Sequence, residues 1–547
     1  MSSASAPCSS ARRHLWVRGL LVLGCGAAVG LACGWGGLWP LAGCALLVWA
    51  GQLRAVARCA HHALLLTALG LCAWSLAAMA WTVIPVRQDA PWRPLLQAGL
   101  LTLVLLHHLG CAWPGWIAGR MLLRRCPAQV QVLLAWVLAL ASAEALRPLG
   151  WWGHGYGALA TALVDAPGSG LLLPWLGGLG WATLCLSLCA GLNQLLPATD
   201  RTHRLLPLGG GLLAGGLSAW CLASAPGAAA GPLSPPSTDD AVTVLALSTE
   251  RNRAAPWTAA DRDGAMAHLL QGLDRLPAGG VLATAETYLP QSAPESPLGA
   301  WGDLLDAVAT RQVDVLLGMP QWVQVGDAPP YPVNAVRHLA PTRQAVYGKA
   351  RLVPLGEYLP DLPWSRPLAR WLFASAQGEQ PAPPEMQEPL FVSGHPVGVL
   401  ICHELSLPDL TRTRALASDW LLVAADDSWV GRKDYLGQMR SMLRLRALET
   451  GRPILRVASG GPSLLALPDG QVQTAAPGQG PMGRPVRFLA PPTPGASALR
   501  LGPWIAGLPL LLLVTLLGRA GATSPRRQPA CPSPRSPLQE LPHADAS

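Results

Sequence analysis

Charge is what this chain lacks most. Only 13% of its 547 residues are Asp, Glu, Lys or Arg, against about 25% in an ordinary soluble domain. The shortage falls on the first 225 residues, which run through Leu, Ala, Gly and Trp with short Arg-bearing links. That pattern excludes a single globular enzyme of this length and describes a polytopic membrane protein with a soluble insert. Cysteine is also scarce where the chain turns polar. Of 13 cysteines, Cys402 is the only one between 226 and 498. A disulfide within that stretch is excluded, so the thiol serves either packing or chemistry. His61-His62 and His107-His108 lie in apolar segments without metal-ligand spacing, which points to helix packing or interfacial placement. The net charge of +9 comes largely from Arg clusters beside the apolar segments. It argues for membrane topology and against nucleic acid as a partner.

Eight apolar stretches stand out, at 15–34, 37–53, 61–84, 94–118, 127–146, 173–196, 205–225 and 500–518. Each is close to the ~20 residues that a helix needs to cross a bilayer. On this count Arg12, Arg13, Arg54, Arg58, Arg120, Arg124, Arg125, Arg201, Arg204, Arg526, Arg527 and Arg535 share one side, which makes it cytoplasmic. Both termini then face the cytoplasm, and the insert faces outward, into the periplasm if the membrane is a bacterial inner membrane. Val22-Leu23-Gly24-Cys25 hints at a lipoprotein cleavage box. Further apolar segments follow at once, so uncleaved insertion is the expectation. The expected division is a seven-span membrane domain over 1–225, a Pro-rich linker over 226–240 and an α/β domain over 241–490. A last span over 500–518 and a disordered cytoplasmic tail over 519–547 follow.

Inside the insert, strand-like runs occur at 242–247, 280–285, 313–318, 350–354, 397–402, 420–425, 454–458 and 464–467. Helical patterns occur at 258–275, 298–311, 408–418 and 436–450. This alternation predicts an α/β domain with a covered sheet. Three residues able to carry chemistry fall at strand ends or in the adjoining loops. Glu286 follows Val281-Leu282-Ala283-Thr284-Ala285, Lys349 follows Tyr347-Gly348, and Cys402 ends the run Val397-Gly398-Val399-Leu400-Ile401. A carboxylate, an ammonium and a thiol together would supply a base, an oxyanion partner and a nucleophile. His403 invites a Cys-His dyad, but adjacent strand residues point to opposite faces. Trp257 and Trp429 fit either an acyl-chain groove or core packing.

Several longer motifs accompany these residues. They are Lys349-Ala350-Arg351-Leu352-Val353-Pro354-Leu355-Gly356-Glu357, Ile401-Cys402-His403-Glu404 and Asp427-Ser428-Trp429-Val430-Gly431. Arg446-Ala447-Leu448-Glu449 with Arg452-Pro453, and Glu144-Ala145-Leu146-Arg147 with Gly153-His154-Gly155-Tyr156, complete the set. In this order the insert resembles the nitrilase, or carbon-nitrogen hydrolase, superfamily. With its spans the whole frame resembles the membrane-bound branch, the apolipoprotein N-acyltransferases. The resemblance implies an α-β-β-α sandwich facing away from the cytoplasm. It implies Glu286 as general base, Lys349 as oxyanion stabiliser and Cys402 as nucleophile. Glu357 and Glu404 become supporting acids, unless they are ordinary loop ion pairs, and His403, Trp429 and Trp257 become candidates for substrate contact. It further implies a monomer without cofactor or metal, acting in the membrane. A phospholipid would be the acyl donor and a diacylglyceryl lipoprotein the acceptor, with a Cys thioester between them.

The chain departs from the family pattern around these residues. Thr284-Ala285 stands where the family has Trp-Pro, His403 where it has Tyr, and Asp426 where it has Asn. Ser459-Gly460-Gly461 replaces Asn-Asn-Gly, and the segment Ala246-Leu247-Ser248 lacks the usual Gln-Gly-Asn. Two alternatives stay open on that account. One is a membrane-tethered amidase or acyltransferase acting on another amine, and the other is a non-catalytic envelope paralogue.

Overall fold

A computed structural model describes residues 6–84, 92–122, 124, 126–150, 152–195, 241–249, 257–292, 299–327, 329–354, 356–357, 380–476 and 485–489. The stretches 205–225 and 500–518, the linker 226–240 and the tail 519–547 lie outside the described residues.

The N-terminal region is helical: α1 (Ala6–Gly34), α2 (Trp39–Ala55), α3 (Ala60–Met79), α4 (Arg93–Leu122), α5 (Ala128–Leu146), the single turn α6 (Leu159–Ala162) and α7 (Ser169–Leu195). Among the described residues, six segments are long and apolar enough to cross a membrane. They are Leu15–Gly34, Gly36–Ala55, Ala60–Val83, Arg93–Leu122, Ala128–Leu146 and Ser169–Gln194. These coincide with the first six apolar stretches read from hydropathy. Helices apolar on every side are suited to lipid or to burial against one another. Both occur here, since Trp49 and Trp136 meet edge to face in the helical core while Trp16 and Trp175 are exposed.

The C-terminal region is built from two six-stranded sheets. The first has the order β12-β1-β2-β3-β4-β5, from β1 (Ala241–Leu247), β2 (Val281–Thr284), β3 (Asp314–Val323), β4 (Tyr331–Leu339), β5 (Gln344–Gly348) and β12 (Val486–Leu489). The second has the order β11-β10-β9-β8-β7-β6, from β6 (Leu390–Val392), β7 (His395–Ile401), β8 (Trp420–Asp426), β9 (Ile454–Ser459), β10 (Ser463–Ala466) and β11 (Val472–Ala476). Strands β1-β2-β3 and β7-β8-β9 pair in parallel and the outer strands antiparallel. Parallel strands covered on both faces read as continuous apolar runs, as Trp420–Asp426 does.

The sheets face each other through Val244, Ala246 and Ala283 on one side and Val399, Ile401, Leu422 and Val457 on the other. Helices α8 (Ala259–Leu273) and α9 (Ala300–Arg311) cover the outer face of the first sheet with Leu269, Leu273, Leu304 and Val308. Thr258 and Asp261 exchange hydrogen bonds at the start of α8, which satisfies N–H groups that a helix end leaves open. Helices α10 (Pro408–Leu416) and α11 (Lys433–Thr450) cover the second sheet. The result is an α-β-β-α sandwich.

Helix α11 is buried on two sides. Met439, Met442 and Leu443 join Leu421, Val423 and Ile454 of the second sheet and Val22, Trp49 and Leu133 of the membrane helices in one continuous core. Backbones touch where α11 meets α1. A Cβ on Gly437 would lie 1.9 Å from the Gly34 carbonyl oxygen.

Two local expectations need correction. Residues 350–354 do not form an extended strand. They follow β5 as a loop because the N–H groups of Ala350 and Arg351 donate to the Glu404 carboxylate at 2.7 and 2.9 Å, not to a neighbouring strand. Nor does Cys402 end a strand. β7 stops at Ile401, and Cys402 opens a 3₁₀ turn, Cys402–Ser406, with φ 51°.

The Gly34–Gly437 contact yields a test. Gly437→Ala forces α11 away from α1, and overpacking of this kind destabilises by about 1–3 kcal/mol. Thermal unfolding of the purified full-length protein should show a lower midpoint, and an unchanged midpoint would show that this crossing is loose.

Candidate active site

The parallel strands of both sheets end at the same place. Beyond β2, the chain carries Ala285 and Glu286 into a tight bend in which Thr287 has φ 49°. Beyond β5 comes Lys349, and beyond β7 comes the turn that starts with Cys402. Ligands bind beyond the carboxyl ends of such strands. Here that position lies between two sheets, so chemistry from both converges.

Lys349 sits at the centre and is fully buried. Its Nζ lies 3.2 Å from Glu286 Oε1 and 2.7 Å from Glu357 Oε1. Burial alone would push the ammonium's pKa down. The carboxylates of Glu286 and then Glu357 more than reverse this and hold it well above the usual lysine range. Lys349 therefore stays a cation.

Each carboxylate is fixed by further donors. Glu286 Oε1 accepts from Asn334 Nδ2 at 2.7 Å, and Oε2 accepts from the Asp426 N–H at 3.1 Å. Glu357 Oε2 accepts from the Val353 N–H at 2.9 Å. Asn334 works twice, since its carbonyl also accepts the Lys349 N–H at 2.8 Å. Glu404 ties the lysine loop to the cysteine turn. Its Oε1 holds Ala350 and Arg351, and its Oε2 accepts from the Ile401 N–H at 2.7 Å and the Tyr347 hydroxyl at 3.2 Å. Burial pushes Glu404 up, against the backbone donors of Ile401, Arg351 and Ala350 and the charge of Lys349.

Cys402 is 8% exposed and has the left-handed backbone that a non-glycine residue adopts at a cost of about 1–3 kcal/mol. Burial, then the negative charge of Glu286, raises its thiol pKa well above the ordinary value, with Lys349 pulling the other way. At rest the group is therefore a thiol beside a carboxylate, so attack requires proton removal by a base. Glu357 and then Asp427 add further negative fields. Asp427 is fully buried, 2.6 Å from Arg456 Nη2 and 3.2 Å from the Tyr435 hydroxyl.

The other expected residues sit apart from this centre. The ring of His403 lies 5.5 Å from that of Tyr156 in the membrane region. Burial, then the charge of Lys349, pushes its pKa down to about 3, against a hydrogen bond with the Gly153 backbone. It is a neutral imidazole packed on the membrane-domain side, lining a cavity of about 190 Å³ with Arg351, Leu352 and Leu407. Trp429 stands 6.2 Å from both Trp81 and Tyr435, in an aromatic cluster at the junction with the membrane helices. Trp257 packs against the outer core under α8 and α9. Among the described residues, no group of three or more His, Cys, Asp or Glu is arranged to hold a metal ion.

The sequence reading did not pick out Asn334, Tyr347 or the Asp427–Arg456 pair as site residues. Asn334 had one visible signal, an amide in the otherwise apolar strand run Val333-Asn334-Ala335-Val336.

Residues 283–484 match the carbon-nitrogen hydrolase family. An apolipoprotein N-acyltransferase of Azotobacter vinelandii is 29% identical over 95% of this chain and 98% of its own length. That of Pseudomonas syringae pv. tomato is 27% identical over 70% of this chain and 74% of its own length. A branch 10 nitrilase-superfamily member of Saccharomyces cerevisiae, known by its crystal structure, aligns with 48% of this chain and 95% of its own at 12% identity and a TM-score of 0.35. Over nearly its whole length the chain is similar to apolipoprotein N-acyltransferases. Its carbon-nitrogen hydrolase domain fits an acyltransferase, and the six apolar helices among the described residues fit a bacterial membrane protein. Of the positions that depart from the family pattern, Asp426 donates its N–H to Glu286 Oε2, Ser459 Oγ accepts the Thr249 N–H, and His403 faces Tyr156.

The electrostatics give a test with two opposite readouts. Glu286→Gln removes the strongest negative field on Cys402, so the thiol pKa falls. Iodoacetamide should alkylate Cys402 faster than in wild type at pH 8, as followed by peptide mass spectrometry. On the expectation that Glu286 is the general base, acyl transfer should fall by roughly 10²–10⁴-fold. An alkylation rate unchanged from wild type would show that Glu286 does not act on this thiol.

Proposed function

We propose that the protein moves an acyl chain from a membrane phospholipid to the N-terminal amine of a diacylglyceryl-cysteine lipoprotein, through a thioester at Cys402. We place domain 241–490 on the periplasmic face of a bacterial inner membrane, with both termini cytoplasmic. The observation that carries this reading is the lysine held by two carboxylates beside a buried thiol, in a domain whose helix α11 shares its core with the membrane helices. The relatives bear the name of that activity.

In this reading Glu286 takes the thiol proton as Cys402 attacks the ester carbonyl of the phospholipid. Lys349, fully charged, stabilises the tetrahedral oxyanion. Collapse breaks the carbon–oxygen bond. The lysophospholipid alkoxide leaves with the proton from Glu286, and the acyl group remains on sulfur. The lipoprotein amine then attacks the thioester carbonyl and gives its proton to Glu286. The carbon–sulfur bond breaks, and the thiolate recovers that proton. One difficult displacement becomes two easier ones, because a thioester is a good acyl donor to an amine. Both substrates are lipids, which explains a catalytic domain seated directly on membrane helices.

A second reading keeps the chemistry and changes the amine. It is favoured by His403, a neutral imidazole in the family's Tyr position that lines a cavity with Arg351.

Depletion of the protein, followed by mass spectrometry of N-terminal lipopeptides, separates the two. With wild-type rescue the lipoprotein amines should be acylated, and with Cys402→Ala rescue they should be free. Wild type, unlike Cys402→Ala, should also accumulate a hydroxylamine-sensitive acyl adduct. Amines that stay fully acylated in both strains overturn the first reading. An adduct on Cys402 together with unchanged lipoproteins supports the second.

A further inference from the structure

The turn that begins with Cys402 is gripped at its far end by one guanidinium. Arg446 Nε donates to the Leu405 carbonyl and Nη2 to the Ser406 carbonyl, both at 3.2 Å. A planar fork spanning two adjacent carbonyls fixes their relative position. Arg446 is held in turn by Glu449, whose Oε2 meets Nη1. The other carboxylate oxygen of Glu449 accepts the backbone N–H of Gly178, in membrane helix α7.

That N–H is available because α7 is broken there. Gly177 has φ 64° and ψ 177°, a conformation open essentially only to glycine. In an unbroken helix the Gly178 N–H would donate to the carbonyl four residues earlier. The break turns it toward the catalytic domain instead. Both side chains of the ion pair are nearly buried, at 5% and 13% exposure. Packing does not hold this corner, since a cavity of about 360 Å³ lies against Gly177, Gly178, Arg446 and Glu449. Hydrogen bonds therefore carry the placement.

We propose that Glu449 and Arg446 are positioning residues. The series Gly178–Glu449–Arg446 sets the nucleophile turn from membrane helix α7 and so maintains the left-handed backbone at Cys402. The proposal rests on the reading of Cys402 as acyl carrier. It goes beyond that reading by giving the membrane domain a part in catalysis.

The test uses the full-length protein in phospholipid nanodiscs, with single-turnover formation of the hydroxylamine-sensitive adduct on Cys402 as readout. Wild type is compared with Gly177→Ala, Glu449→Gln and the double variant. Each single change should slow acylation by roughly ten- to a hundredfold, as small displacements of reacting groups do. The half-saturating donor concentration should stay unchanged, and the double variant should be no slower than the slower single, because a broken series is broken once. Rates near wild type overturn the proposal, as does a loss confined to half-saturation or losses that multiply in the double variant. Should Gly177→Ala fail to fold, Arg446→Lys takes its place in the cycle. If wild type forms no adduct, the reading of Cys402 as acyl carrier fails. The same cycle read by iodoacetamide alkylation of Cys402 then decides the relay separately.

Discussion

A single buried ammonium organises the candidate site. An isolated charge in a dry protein interior is strongly disfavoured, so Lys349 is compatible with its full burial only because Glu286 and Glu357 both reach it. Removing one partner of such a set typically costs about 3–5 kcal/mol, since it leaves an uncompensated charge inside. The constraint spreads outward from there. Glu286 needs Asn334 and the Asp426 N–H, Lys349 needs the Asn334 carbonyl, and Glu357 needs Val353. Strands from both sheets are thereby drawn to one point.

The same charges decide the state of the thiol. Burial and Glu286 raise the Cys402 pKa, while Lys349 works against them. A site so balanced keeps the sulfur protonated until a base acts, which restrains side reactions of a free cysteine. His403 is adjacent in sequence yet faces Tyr156 and the Gly153 backbone. It belongs to the contact with the membrane region and not to the charge cluster of Lys349, Glu286 and Glu357.

That contact is extensive. Helix α11 is buried between the second sheet and the membrane helices. Arg444 reaches Asp165, and Gln438 bridges Gly157 and Ala78. A domain that only lay beside a bilayer would not need its outer helix buried on both faces. Here the membrane helices serve as the second sheet's outermost layer.

The apolar spans were legible because a hydropathy run is a local property, and six of them appear as long helices. The residues Glu286, Lys349, Cys402, Glu357 and Glu404 were legible because their neighbours form short ordered motifs. What was hidden depends on contacts between distant segments. Residues 350–354 look like a strand, yet their N–H groups are claimed by Glu404, more than fifty positions away. Cys402 looks like a strand end, yet the same carboxylate closes a turn around it. Asn334 carries no motif of its own, and the motif that opens with Asp427 does not assign it Arg456 as a partner. Residue order alone was thus enough to mark which groups could carry chemistry and which runs are long and apolar enough to cross a membrane. Only the folded chain decided which charges neutralise which. Burial and pairing are properties of neighbours in space, and the energy of a buried charge depends on those neighbours far more than on its position along the chain.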